Sequence, residues 1–323
     1  MNLKNKTFLI TGGNGFIGSF IANKLMDLNL EVIILSNIEE YNWRIQDINK
    51  CEFEKCDITN KSEVKRSINK IKPDIIFHLA GYVNPERNIN VTQKGFSVNL
   101  IGTQNLILSL MEHEYDLFVN TGSSDEYGYN IAPFIEEMRE RPVSPYSASK
   151  VAATYYCEMI SYIYNKPIIT VRPFLPYGPK QLAKLLVPWL IFSSLEKREI
   201  LLTPCEQTRD FIYIDDVAEA YISLAKNTEK VRSCGVFNIG SGEEVQIIRI
   251  VNLIKDKLKS NKIIIGGKDY RAGEAMHFYS SIDKIKKITG WAPKWSIDDG
   301  IETTINWWFQ NEKIWKKYKY IWD

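Results

Sequence analysis

Histidine is scarce in this sequence and cysteine is never paired. The 323 residues include three histidines, His78, His113 and His277, none near another. The five cysteines, Cys51, Cys56, Cys157, Cys205 and Cys234, form no C-x-x-C pair. A metal site is therefore not expected. An odd cysteine count without a secretion signal reads as reduced thiols and a cytoplasmic protein. No apolar run reaches the roughly 18 residues of a membrane span. The opening MNLKNKTFLITGG passes straight from a short apolar stretch into glycines, so it reads as a strand and not a signal peptide. Excess charge of one sign is also missing. Lys+Arg 41 against Asp+Glu 39 leaves +2, so nothing in the balance points to nucleic acid. There is no internal repeat and no low-complexity linker.

What is present is an alternation. A short apolar run at 6–11 reads as a buried strand, and 31–36, 51–57, 74–81, 115–123 and 167–174 read as further strands. Between them, 15–29, 61–71, 91–113 and 144–164 carry apolar residues at helical spacing. Strands alternating with helices imply right-handed βαβ units and an α/β, doubly wound parallel sheet. Beyond residue 174 the pattern is irregular. The expectation is a dinucleotide-binding domain over 1–174 and a smaller α/β lid over 175–323, with segments of roughly 209–240 returning to the main sheet.

TGGNGFIG places Gly12, Gly15 and Gly18 where the first strand turns into the first helix. Gly12 allows the tight turn, Gly15 lets backbone approach a pyrophosphate, and Gly18 lets helix and strand pack closely. The helix N-terminus adds unpaired N–H groups and a positive dipole end. An acidic residue ending the second strand would hydrogen-bond the adenosine ribose of NAD. Ser36 and Asn37 stand there instead, and Arg44 is near enough in sequence to reach a 2′-phosphate. NADP(H) is therefore favoured, with NAD(H) the alternative should Glu39 or Glu40 fold back.

Tyr146 and Lys150, in YSASK, are four apart and share a helical face. Ser144 and Pro145 before them suit the N-cap and first helical position. A phenol titrates near about 10, too high for proton transfer at neutral pH. A neighbouring ammonium favours the phenolate. A shift to about 7 corresponds to about 4 kcal/mol of differential stabilisation, which Lys150 and a bound nicotinamide cation would have to supply. The plain alternative is a surface Tyr–Lys pair.

In order and spacing, TGGNGFIG, HLAG (78–81), TGSSDEYG (121–128), YSASK (146–150) and RPF (172–174) resemble the extended short-chain dehydrogenase/reductases that act on nucleotide sugars. RDFIYIDDVAEAY (209–221), FNIGSGE (237–243), RAGE (271–274) and GWAPKWSIDDGI (290–301) continue the resemblance almost to the end. It implies a Rossmann sheet and a catalytic set of Ser123, Tyr146 and Lys150, with Ser123 donating to the sugar oxygen that changes oxidation state. It implies cofactor contacts at Phe16, Ile17, Asp57, Ile58, Leu79, Ala80, Gly81 and Pro173, and at Lys150 through the nicotinamide ribose. For the substrate it implies Ser124, Asp125, Gln181, Val187, Pro188 and Glu274, with Arg209 and Arg271 on the diphosphate, where planar forks of donors fit. Relatives pair their long helices about a two-fold axis. Leu100, Leu106, Leu110, Tyr155, Met159 and Tyr162 offer apolar surface for such a homodimer through 91–113 and 145–164, simple burial within one chain being the alternative.

Three chemistries run on this frame: 4-epimerisation, 4,6-dehydration and 4-keto reduction. GSSDEYG and RPFLPYGPKQ look closest to the GDP-4-keto-6-deoxymannose reductases. The leading expectation is thus an NADPH-dependent reductase of an NDP-4-keto-6-deoxyhexose, GDP-linked favoured. An NAD-dependent 4-epimerase or 4,6-dehydratase is the alternative. Asp125 would be a general base in a dehydratase and a hydroxyl anchor in a reductase. Asp is one methylene shorter than the Glu that dehydratases carry there. Leu175, Pro176 and Tyr177, and the stretch 270–279, depart from the reductase pattern. A non-catalytic dinucleotide scaffold is a third possibility, opposed by the presence of Ser123, Tyr146 and Lys150 together.

Overall fold

The computed structural model describes residues 3–45, 50–84, 86–271 and 273–317, apart from the side chains of Glu40 and Tyr41. In chain order, β1 (Thr7–Thr11), α1 (Phe16–Asp27), β2 (Glu31–Ser36), β3 (Glu52–Lys55), α2 (Lys61–Ile71) and β4 (Ile75–His78) come first. They are followed by α3 (Thr92–Phe96), α4 (Gly102–Leu110), β5 (Leu117–Thr121), α5 (Pro145–Tyr164) and β6 (Ile168–Pro173). The C-terminal part adds β7 (Leu175–Tyr177), α6 (Leu186–Leu195), β8 (Ile200–Leu201), β9 (Thr208–Arg209), β10 (Phe211–Tyr213), α7 (Ile214–Lys226) and α8 (Thr228–Val231). It closes with β11 (Val236–Ile239), β12 (Val245–Gln246), α9 (Ile247–Leu258), β13 (Ile263–Ile264), α10 (Asp283–Thr289), α11 (Ile297–Gln310) and α12 (Glu312–Lys317).

Seven strands form one parallel sheet in the order β11-β6-β5-β4-β1-β2-β3. The order reverses between β1 and β4, and ligands bind at the strand ends beside such a reversal. Both faces of the central strands are covered, so these strands are buried nearly throughout, whereas the edge strand β3, Glu52–Lys55, is polar and only partly buried. Phe8, Ile10, Ile75 and Phe77 point to one layer with Ile21, Leu25, Val217 and Tyr221. Leu9, Ile33, Ile76 and Phe118 point to the other with Val64, Ile68, Leu106 and Leu110. Each such side chain removed from water contributes about 1.5–3 kcal/mol.

Local signals set the helix ends. Asn60 caps α2 by accepting from Ser62 and Glu63 N–H. Ser144 caps α5 with Pro145 at its first position, and Asn165 ends it in the left-handed region at φ 52°. The stretch 91–113 is one helical path in three segments: α3, a π turn at Ser97–Ile101, and α4, which ends at Leu110. Leu106 and Leu110 are wholly buried against the sheet. Their expected surface role fails because they lie on the inner side of α4.

After β6 the chain leaves the sheet and returns. β7 pairs with β10, β9 with β12 and β8 with β13 in two-stranded pieces, while β11 joins the main sheet beside β6. Helix α7 lies against α1, where Lys24 reaches Glu219 at 2.9 Å and Asp215 at 3.9 Å. The aromatic cluster Tyr127, Phe134, Phe174 and Phe278 ties the 121–128 loop to the C-terminal part, with Tyr127 and Phe134 stacked at 4.9 Å.

Candidate active site

At the end of β1, Gly12 has φ +66° and donates to Leu35 O at 2.8 Å. A Cβ there would lie 2.9 Å from Ala80 N. A Cβ on Gly18 would lie 2.5 Å from Gly12 O and 2.7 Å from Gly13 Cα, both backbone atoms that cannot yield. Helix α1 follows Gly15 at its N-cap, with no capping side chain and no acidic residue in its first turn. Its first N–H groups, at Phe16 and Ile17, thus face outward with the dipole, as a phosphate requires. Residues 79–81 line the other side, Leu79 and Ala80 donating to Thr11 O at 3.0 Å and Thr11 Oγ1 at 3.1 Å.

Two steps along the sheet, at the end of β5, Ser123 leaves the strand and caps a 3-10 turn, Ser124–Glu126. Its Oγ accepts from Asp125 N–H at 3.1 Å, and its own N–H donates to Glu126 Oε1 at 2.8 Å. Using an oxygen lone pair this way leaves the hydroxyl proton free to be donated elsewhere. Tyr146 and Lys150 reach the same place from the first turns of α5, all three side chains being buried. Lys150 Nζ donates to Thr121 O at 2.8 Å, and a Cβ on Gly81 would meet it at 3.1 Å.

Burial pushes the Tyr146 phenol up, and the Asp125 charge pushes the same way, while the Ser123 hydroxyl opposes both. The expected depression of this phenol is thus not a property of the protein alone: Lys150 is turned toward Thr121 O. Burial lowers Lys150 to about 8, against an upward pull from Glu126. His78, beneath the site, is lowered to about 3 by burial and by Lys150. It lies between Thr11 Oγ1 at 2.7 Å and Thr103 Oγ1 at 2.9 Å and is neutral.

Asp125 is pushed up by burial, against the opposing pull of the Arg209 and Arg271 charges. Arg209, on β9, donates to Thr208 O at 2.7 Å and Ala275 O at 2.8 Å and pairs with Glu274. Arg271 is 87% exposed and touches the other oxygen of Glu274 at 3.2 Å. One carboxylate therefore bridges the two arginines. Gln181 and Val187 are buried, Gln181 donating to Pro176 O at 2.7 Å. Ser124 and Pro173 are buried beside the loop and in β6.

The second-strand end differs from expectation. Arg44 is 1% exposed, stacks on Trp43 at 4.6 Å and donates from Nε to Lys180 O at 3.0 Å. It is engaged inside the protein and not held out toward a 2′-phosphate. Asn37 is exposed, Ser36 Oγ accepts from Ile38 N–H at 3.1 Å, and Glu39 pairs with Lys55 at 3.2 Å. The Glu40 side chain lies outside the described residues. Asp57 spends one oxygen on Thr59, and Ile58 is buried under Gly102.

Two further residues come to the site that motif spacing did not indicate. Asn99, on the π turn, accepts from Tyr82 N–H at 2.7 Å and donates to Ser149 Oγ at 2.8 Å. Asn14 ties the glycine loop to Ile38 O and Asn42. The Asn14 link is visible in TGGNGFIG only as a polar residue among glycines. A π turn has no sequence periodicity to betray it. No disulfide joins cysteines among the described residues, no helix among them is long and apolar enough to cross a membrane, and no His/Cys/Asp/Glu cluster among them could hold a metal.

Residues 8–240 match the model of the NAD dependent epimerase/dehydratase family. The chain is 27% identical to the UDP-glucuronate 4-epimerase of Thermodesulfobacterium geofontis over 323 residues, covering 97% of this chain and 99% of that one. It is 28% identical to the human dTDP-D-glucose 4,6-dehydratase over 331 residues, covering 96% and 92%. Among solved structures, UDP-glucuronic acid 4-epimerase from Bacillus cereus, in complex with UDP-glucuronic acid and NAD, superposes with a TM-score of 0.86. It is 26% identical, with 94% of this chain and 99% of that chain covered.

Proposed function

Given that the chain belongs to the NAD dependent epimerase/dehydratase family, we propose that it is an NAD-dependent 4-epimerase of a nucleotide-diphosphate hexose. The observation that carries the reading is the convergence of Ser123, Tyr146 and Lys150 at the strand ends beside the uncapped glycine-loop helix. Bound NAD would take up and return the C4 hydride. Gly12, Gly15, Phe16, Ile17 and Gly18 would hold its pyrophosphate, Asp57 and Ile58 its adenine end, and Leu79, Ala80, Gly81, Pro173 and Lys150 its nicotinamide end.

Within that frame Tyr146, as phenolate, takes the proton of the sugar C4 hydroxyl as hydride leaves C4. Ser123 holds the same oxygen with a hydrogen bond from its hydroxyl and keeps its own proton. Tyr146 later returns the proton when hydride comes back to the opposite face of the ketone, so atoms and electrons balance over the cycle. Burial and Asp125 work against the phenolate; the cationic nicotinamide and Lys150 would offset them. Arg209 and Arg271 would take the diphosphate, and Gln181 and Val187 the nucleoside.

Epimerisation needs no acid or base besides Tyr146. Dehydration needs two more groups, one for the C6 hydroxyl and one for the C5 proton. The loop offers Ser124 and a single uncommitted carboxyl, Asp125, because Glu126 is bound on all sides. A dehydratase is the second reading, supported by the likeness to a dTDP-D-glucose 4,6-dehydratase and by Asp125 standing beside Ser123. The ketoreductase expected from GSSDEYG uses the same Ser, Tyr and Lys, but the relatives named above are epimerases and a dehydratase. NAD(H) replaces NADP(H) as the favoured cofactor because Arg44 is engaged elsewhere. A second copy would cover the exposed apolar face of Leu108, Tyr155, Met159 and Tyr162.

The test is a panel of UDP-glucose, dTDP-glucose, GDP-mannose and CDP-glucose, followed by NMR and mass spectrometry. An epimerase equilibrates C4 without consuming cofactor. Product lighter by one water establishes the dehydratase. Inertness toward the hexoses, with stoichiometric NADPH loss on 4-keto sugars, establishes the reductase. Tighter binding of NADPH than NADH would overturn the cofactor assignment.

A further inference from the structure

Glu126 is wholly buried, yet it belongs to none of the groups that touch cofactor or substrate in the reading above. Four donors converge on it. Ser123 N–H reaches Oε1 at 2.8 Å. Oε2 receives Thr154 Oγ1 at 3.0 Å, Arg172 Nε at 3.0 Å and Arg172 Nη2 at 2.9 Å. Arg172 is itself fully buried and also pairs with Glu140, whose other oxygen accepts from Tyr155 on α5. The space for the carboxylate is made by its neighbour: a Cβ on Gly122 would stand 2.3 Å from Glu126 Oε1. Only glycine admits the carboxylate there.

An ion pair in the interior is a poor source of stability, since desolvation offsets most of its attraction. What this one provides is geometry. Its Oε1 fixes the backbone at Ser123, whose Oγ in turn accepts from Asp125 N–H. With one lone pair so engaged, the single hydroxyl proton is aimed away from the turn.

We propose that Glu126, held by Arg172, is the positioning residue of Ser123, setting the direction in which the serine hydroxyl donates. This rests on the reading of Ser123 as catalytic.

The two parts separate in one experiment. Glu126→Gln keeps an oxygen for Ser123 N–H; Glu126→Met keeps the volume and loses the acceptor. Both leave Arg172 paired one-to-one with Glu140, so neither strands a charge. Each is made in the native enzyme and with Ser123→Ala, and turnover is measured on whichever of the four panel sugar nucleotides reacts fastest. With Ser123 present, Glu126→Met lowers kcat at least about tenfold relative to Glu126→Gln, with KM within about threefold. With Ser123→Ala that difference collapses toward one, as expected of groups acting as a unit. Equal kcat for Gln and Met, a ratio that persists without Ser123, or a Met variant that no longer folds and binds NAD overturns the proposal. If Ser123→Ala alone leaves kcat unchanged, or no panel member reacts, it is the catalytic reading that fails.

Discussion

At the β1–α1 turn the decisive contacts join backbone to backbone: Gly12 N–H to Leu35 O, and Gly18 so close to Gly12 O that no side chain fits between. At β9 and the 271–274 loop the decisive contacts join side chain to side chain, with Arg209 and Arg271 sharing Glu274. The first arrangement requires particular residues because it excludes all others. The second requires charges of a given sign, which several sequences could supply. A glycine triplet can therefore be read before folding, whereas an arginine's partner is settled only by what folds next to it.

Four changes break or sharpen this contrast. Tyr146→Phe leaves both regions intact and removes the proton carrier, so kcat falls on the order of 10³-fold while NAD and sugar-nucleotide binding, measured by calorimetry, stay within a few-fold. Gly18→Val forces a Cβ against two backbone atoms, and NAD affinity, by fluorescence titration, drops on the order of 100-fold with the sugar-nucleotide site unaltered. Arg209→Ala raises KM for the sugar nucleotide about 10- to 100-fold, the loss of one charge-assisted contact, with little change in kcat. Arg271→Ala costs less, because its exposed side chain must first be ordered. If Arg271 proves the larger, the pre-held arginine is not the main anchor.

The smallest effect concerns Lys150 and runs opposite in stability and activity. Its folded value of about 8 lies below its ordinary 10.5. Between those values the unfolded chain keeps a proton that the folded chain releases, so stability rises with pH across that window. Below pH 8 the buried ammonium costs stability. Lys150→Met removes that cost and raises Tm at pH 7 by a few degrees in calorimetry, while turnover falls. The wild-type rate declines above pH 8 as the ammonium is lost. A variant no more stable than the native enzyme at pH 7 would show that the charge is better compensated than its burial implies.

Much of the frame was legible in advance. Buried parallel strands are apolar throughout, which marks runs such as 31–36 without ambiguity, and Ser144-Pro145 marks the start of α5 through local chemistry alone. Gly12, Gly15 and Gly18 could be placed at a strand-to-helix turn because the turn type demands them. Arg44 shows the limit. Nearness in sequence to β2 suggested a reach toward the cofactor, but the carbonyl of Lys180, 136 positions later, claims its Nε. Leu106 and Leu110 failed similarly. Helical spacing shows that a face is apolar and not whether it meets a sheet or a second molecule. Asn99 had no signal at all, since a π turn is a departure from periodicity.

That π turn carries a consequence for chain length. Ser97–Ile101 holds one residue more than an α-helical turn would, and the extra step brings Asn99 to Tyr82 and Ser149. Deleting a single residue there would close the turn to ordinary α-helical geometry and take Asn99 away from Tyr82 and Ser149. Leu106, Ile107 and Leu110 would keep their place against the sheet. The exposed Ile101 can change identity freely. In this segment the count of residues, more than their kind, is under constraint.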